Sequence, residues 1–263
     1  MSQIQGSAKL GSAAQLRGWW KFEDGAGTRA ADSIGEGHLC AVGEPGWTHA
    51  GRFGGAVALD GATQWLGAPS PVIRTDRSFS VAAWVRLDRA TLKGELRFGP
   101  DEYARTALSL DSPTHSPFYL GIRAFPEVQP DGTTRKVARW NFTVSPSDGS
   151  VEQRMFEWQH AAASQPIDVS ALDRWVLLVG VCDIPGSAAR LYVNGVADRG
   201  LKQVPERFTF WRADGGLQIG RARWLGRIVD QWPGSIGAVR VFEGVLSEAD
   251  AGSLYAQDAG AGA

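Results

Sequence analysis

Short runs of alternating apolar and polar residues, punctuated by glycine, proline, aspartate and asparagine, recur through most of this chain. A period of two sends successive side chains to opposite faces of a strand. The pattern therefore predicts half-buried strands joined by turns, the rhythm of an all-β sandwich or barrel. Leu16, Gly18, Trp20 and Phe22 share one face of a first strand, with Arg17, Trp19 and Lys21 on the other. Phe79, Val81, Ala83 and Val85 alternate in the same way against Ser80, Ala82, Trp84 and Arg86. Residues 175–182, Trp-Val-Leu-Leu-Val-Gly-Val-Cys, are apolar on both faces, as a central strand covered on both sides would be, which makes Trp175 a core residue. Asn194-Gly195 can hold positive φ at both central positions of a turn and predicts a type I′ hairpin.

One helix is predicted near the end. Ser247 caps it, Asp250 stands three residues on in the capping-box position, and Leu246, Leu254 and Tyr255 face inward. A single domain over residues 15–257 is expected, since all-β sandwiches often reach this length undivided. Residues 1–14 and the Ala/Gly tail 258–263 hold no anchoring side chains and are expected to be flexible. Prolines 113, 117, 126, 130, 146 and 166 break the middle of the chain. Strand-like pieces persist there at residues 118–122, 138–144 and 154–158, and are read as hairpins with long loops in the same sandwich.

Several functions are disfavoured by composition. A formal charge of -1 provides no concentrated basic field for nucleic acid. Arg221, Arg223 and Arg227 read equally well as a solvated turn or as an anion site. Cys40 and Cys182 form no disulfide framework or zinc motif, and Cys182 reads as a buried free thiol. The histidines His38, His49, His115 and His160 lack transition-metal ligand spacing. No apolar stretch reaches about 18 residues, so no membrane insertion is expected. The first residues have neither the basic start nor the apolar centre of a signal peptide, which leaves a cytoplasmic location open.

Five segments in order resemble the laminin G-like, concanavalin A-like jelly roll common in large bacterial surface proteins. They are Gly18-Trp-Trp-Lys-Phe-Glu-Asp-Gly-Ala-Gly-Thr28 with Ala31-Asp-Ser33; Gly51-Arg-Phe-Gly-Gly-Ala-Val-Ala-Leu-Asp-Gly61 with Gln64-Trp-Leu66; Ser78-Phe-Ser-Val-Ala-Ala-Trp-Val85; Asp173-Arg-Trp-Val-Leu-Leu-Val-Gly-Val-Cys-Asp183 with Leu191-Tyr-Val-Asn-Gly195; and Leu217-Gln-Ile-Gly220 with Pro233-Gly-Ser-Ile236, Val239-Arg-Val-Phe242 and Leu246-Ser247. The resemblance covers residues 16–256. It implies a two-sheet antiparallel jelly roll with a short C-terminal helix, an extracellular or cell-surface setting, and a binding or adhesive role.

The resemblance also implies one structural calcium ion. Asp32 matches the early carboxylate, the carbonyls of Gly35 or Gly37 would join it, and the second carboxylate position is Gly237 here. Calcium takes six to eight oxygens, so the loss of that carboxylate predicts a weak site.

Catalysis by this fold would need paired carboxylates about 5 to 5.5 Å apart for retaining glycoside hydrolysis. Glu152 and Glu157 would point to opposite faces, Glu23 and Asp24 are adjacent, and Ser145-Pro-Ser-Asp-Gly149 lacks the spacing of a sialidase Asp-box. A non-catalytic module is expected. Sugar binding would use exposed aromatic faces, and Trp140, Trp158, Trp211, Trp224 and Trp232 lie in or beside loop-rich polar segments. The same residues would form the centre of a protein-docking surface, so a glycan and a protein partner both stand. Asn141-Phe-Thr143 fits the glycosylation acceptor pattern.

Overall fold

In the computed structural model, which describes residues 11–49, 53–99, 102–149, 158–206 and 208–260, the alternating runs pair into two large antiparallel sheets. The first sheet runs β14 (Val196–Gln203), β13 (Ala188–Val193), β12 (Val176–Asp183), β7 (Phe79–Leu87), β18 (Pro233–Glu243), β5 (Gly55–Asp60) and β4 (Gly46–His49), with β1 (Gln15–Trp20) also paired to β18. The second runs β11 (Gln159–Ala162), β10 (Thr134–Val144), β9 (Phe118–Val128), β8 (Ala104–Leu110), β15 (Leu217–Ile219), β6 (Trp65–Gly67), β3 (Leu39–Val42) and β2 (Arg29–Ala30). A hairpin of β16 (Ala222–Trp224) and β17 (Arg227–Val229) forms a separate small sheet. The last strand, β18, pairs with β7 on one side and with both β5 and β1 on the other, so the chain's end ties its first half together. This is the expected jelly-roll sandwich.

The core lies between the sheets, where Phe79, Val81 and Val85 of β7 meet Phe118 and Leu120 of β9 and Phe142 of β10. The opposite face of the first sheet is covered as well. Ala82, Trp84, Leu177 and Val179 pack against Leu246, Ala251 and Leu254, which belong to or precede helix α1 (Glu248–Gly260). That second layer is why residues 176–182 are apolar on both faces, and Cys182 is a buried free thiol in the core between the sheets. Trp175 stands just before β12 and is only half-buried, with its ring edge-on to Phe53 at 4.9 Å, so it caps this layer rather than filling the core. Asn194 and Gly195 adopt φ of 52° and 82°, the expected type I′ turn between β13 and β14.

The chain's ends depart from expectation. Helix α1 continues past Gln257 to Gly260, and Asp258 is buried. Its carboxylate accepts hydrogen bonds from both Arg240 guanidinium nitrogens, at 2.8 and 2.7 Å, and from the Trp84 indole at 2.7 Å. The tail was read as anchorless because aspartate carries no hydrophobic signal, yet a buried ion pair holds it. At the other end, the Gly11 amide donates to the Asp250 carboxylate at 2.7 Å, so the supposed flexible segment is tied at its last residues. Residues 1–10 and 261–263 lie outside the described residues. In the middle, β9 and β10 form one long hairpin in the sandwich, whereas Glu152 and residues 154–157 lie outside the described residues.

Candidate functional site

The outward face of the second sheet is polar where its inward face is apolar. Tyr119 and Thr143 stand opposite each other, as do Gly121 and Asn141, and Arg123 and Arg139, while Thr143 also pairs with His160. Directly opposite residues share a face, so these side chains crowd one surface across β9, β10 and β11. The Asn141 amide donates to the Thr143 hydroxyl at 2.5 Å, and that oxygen lies 2.8 Å from His160 Nδ1. Burial, with Arg123 and Lys202 nearby, pulls the His160 pKa down to about 3, so the ring is neutral and Nδ1 can accept the Thr143 proton. Gly121 leaves the floor bare between Tyr119 and Arg123. A Cβ there would lie 2.3 Å from the Arg105 carbonyl.

The result is a notch lined by Thr106, Tyr119, Gly121, Arg123, Asn141 and Thr143, with a volume of about 10 Å³. That holds one water or one ligand oxygen, not a sugar ring. Inside it, Asn141 Oδ1 is buried without a hydrogen-bond partner. Asp230 stands beside the notch, where its backbone carbonyl accepts from the Thr106 amide at 2.7 Å. Asp230 is partly exposed as a residue, but its carboxyl is enclosed, and burial raises its pKa to about 6 against the pull of Arg123 and Arg105.

An aromatic wall rises next to this floor. Trp158 lies 5.2 Å from the Tyr119 ring and 4.9 Å from Trp224, edge to face, and His115 lies 4.7 Å from Trp224. Trp158 and Trp224 are both half-buried, so part of each ring is open to solvent. Two devices hold them. The Asp148 carboxylate accepts the amides of Thr114 and His115 at 2.9 and 2.7 Å, which fixes the His115 loop. The β16–β17 hairpin is pinned by the Tyr119 hydroxyl, which donates to the Arg223 carbonyl at 2.8 Å, and by Asp111, which pairs with Arg221 and Arg223. Arg221 and Arg223 thus form a structural clamp, whereas Arg227 is exposed on the turn. Burial lowers the His115 pKa, which keeps that ring neutral too, although Asp148 pulls the other way.

The sequence profile of the concanavalin A-like lectin/glucanases superfamily matches residues 60–251, more than half of the chain. The chain belongs to this superfamily. No curated protein sequence matches it. Among solved structures, domain 4 of AbnA, a GH43 extracellular arabinanase from Geobacillus stearothermophilus in complex with arabinotriose, is 18% identical with a TM-score of 0.61, covering 93% of this chain and all of that one. A structure of botulinum neurotoxin type C, whose cell entry depends on interaction with two ganglioside molecules, is 12% identical with a TM-score of 0.62, covering 92% of this chain and 51% of that one. Trypanosoma rangeli sialidase with 2,3-difluorosialic acid is 12% identical with a TM-score of 0.54, covering 92% and 33%. The chain thus spans about half of the toxin chain and a third of the sialidase, and at these identities the likeness is one of fold.

Within this superfamily fold, the tryptophans singled out by sequence divide. Trp158 and Trp224 come together. Trp211 is half-buried and spent on structure, since its indole donates to the Ser145 carbonyl at 3.1 Å. Trp140 and Trp232 are corrections. They stack on each other in the core at 6.5 Å, Trp232 wholly buried and Trp140 8% exposed, because β10 points Trp140 inward with Ala138 and Phe142. Sequence reasoning passed over Arg123, Asn141, Thr143 and His160, although the alternation of β9 and β10 placed the first three on one face. Asn141, 3% exposed, is a buried floor residue and not an accessible glycosylation acceptor.

The residues that the resemblance assigns to calcium are largely engaged elsewhere. Asp32 Oδ1 accepts the amides of Trp19 and Ile34 at 3.0 and 3.1 Å, a local clamp. Its Oδ2 faces Gly35 and Gly37, but the Gly37 carbonyl already accepts the Trp20 indole at 2.8 Å. At Gly237 a Cβ would meet the Phe53 ring at 2.4 Å, so an apolar ring fills the space of a second carboxylate. Asp32 Oδ2 and the Gly35 carbonyl are a small part of the six to eight oxygens that calcium takes, so these residues fit the ion poorly. A shallow groove of about 350 Å³ between residues 25–28 and 43–47 is roomier than the notch. It is lined mainly by backbone, and its one aromatic, Trp47, is tied by its indole to the Gly27 carbonyl.

Proposed function

We propose that this domain is a non-catalytic carbohydrate-binding module whose ligand lies across the outward face of the second sheet. The observation that carries this reading is the meeting of Trp158 and Trp224 at 4.9 Å beside a polar floor. A sugar ring presents an apolar C–H face and a rim of hydroxyls, which matches an aromatic wall set against amide, hydroxyl and guanidinium groups. The carboxylates flanking this wall are already engaged: Asp111 with two arginines, Asp148 with two amides. Glu102, the carboxylate that faces Asp230, is engaged by Arg105 at 2.9 Å and by the Gly99 amide, which supports binding over hydrolysis. The arabinanase domain with arabinotriose and the ganglioside-dependent toxin are consistent with a glycan partner in an extracellular setting.

A glycan array read with and without EDTA tests this. Binding should be independent of EDTA, and both Trp158→Ala and Trp224→Ala should abolish it while the fold is retained. Full binding by both variants would place the site elsewhere.

A further inference from the structure

Arg123 is the unexplained residue of this face. Among the described residues, its neighbour Arg139 pairs with Glu127 and donates to the Ser164 carbonyl, whereas no carboxylate lies within ion-pair distance of the Arg123 guanidinium. Arg123 is half-buried, and a cation that gives up part of its solvation to protein is normally paired. Burial lowers the Arg123 pKa, and the nearest compensating charge, Asp230, acts only through space. A half-buried guanidinium with unused donors, set in a notch that admits a single oxygen, is shaped for one charged group of a ligand.

Resting on the carbohydrate reading, we propose that the ligand is a carboxylate-bearing glycan, whose sugar acid enters the notch toward Arg123 while its ring lies against Trp158. One carboxylate oxygen enters the notch and accepts from the guanidinium, while the other stays at its mouth. Neutral His160 and Thr143 add no competing charge.

The same geometry makes binding depend on pH. Facing Asp230 are Arg123 from β9, Arg105 from β8 and Glu102 just before it, with Tyr119 also within electrostatic reach. Its carboxyl titrates at about 6. Above that pH its negative charge competes for Arg123 and repels the ligand. Below it the group is neutral and the guanidinium is uncompensated. A sugar acid, with a pKa of about 3.5, stays ionised through this range. Affinity should therefore rise as pH falls from 7 to 5.

The test pairs uronate and sialate glycans with their carboxyl-reduced counterparts, alongside sulfated glycans, in titrations against the whole chain. The acidic form should bind at least about tenfold tighter than its reduced partner, as expected for a charge-assisted bond. Arg123→Gln should erase that preference, Arg123→Lys should keep part of it, and Asp230→Asn should tighten binding at pH 7 and flatten the pH profile. Equal binding of both forms, a preference that survives Arg123→Gln, or a preference for sulfate over carboxylate would overturn the proposal. The comparison of paired glycans on the unaltered chain stands even if a variant fails to fold. Neutral glycans bound through Trp158 without acid preference would sink this inference alone. Loss of all glycan binding would sink the carbohydrate reading with it.

Discussion

A tryptophan's role here follows from which way its strand turns it. Trp232 is wholly buried against Trp140, while Trp158 keeps part of its ring open. Trp232→Ala should cost on the order of 3 to 5 kcal/mol, the usual result of emptying a large core site. Trp158→Ala should cost about 1 kcal/mol, because most of its loss is at the surface. Urea unfolding of the two variants checks this, and equal costs would mean that Trp158 belongs to the core. None of this is visible in local composition, since Trp140 and Trp158 both sit among polar residues. Strand alternation separates them: Trp140 falls in register with Ala138 and Phe142, and Asn141 with Arg139 and Thr143.

At the scale of elements, two devices join helix to sandwich. The first is the cap. The Asp250 amide donates to the Ser247 hydroxyl at 3.1 Å, and the Ser247 amide donates to the Asp250 carboxylate at 2.9 Å. Burial pushes the Asp250 pKa up, but the Ser247 hydroxyl and the amides of Ser247 and Gly11 outweigh it and hold it at about 2. A depressed folded-state pKa means stability present above about 4, the unfolded value, and lost as pH falls through 2. Asp250→Asn should therefore remove part of the acid dependence of unfolding between pH 4 and 2, leaving a shallower profile there. The second device is the β13–β14 turn. Gly195 has φ 82°, and a Cβ there would lie 2.9 Å from the Gly252 backbone in α1. Gly195→Ala should thus destabilise by more than the roughly 1 kcal/mol of a free positive-φ turn. A cost below that in chemical denaturation would show that the helix moves aside.

At the scale of the whole molecule, the last strand and the helix close the jelly roll. Ending the chain at Gln257 removes the partner of a buried Arg240, side chain 5% exposed, and should cost about 3 to 5 kcal/mol. Restoring residues 258–260 should recover it, and a truncated chain of unchanged melting temperature would show the pair to be dispensable. The far-UV circular dichroism spectrum should be strand-dominated with one short helix. The sequence by itself determined the alternating strands β1 and β7, the Asn194-Gly195 turn, the helix cap and the two-sided burial of β12, because alternation, turn chemistry and capping act between residues close in the chain. Only the tertiary structure decided what gathers on one face. Trp158 and Trp224 meet because a hairpin from residues 222–229 folds over β9, where Tyr119 reaches Arg223 across 104 residues of chain, and Asp258 finds Arg240 only once α1 has docked. Such contacts depend on strand order and on which face of a strand or helix meets another, and no local pattern encodes either.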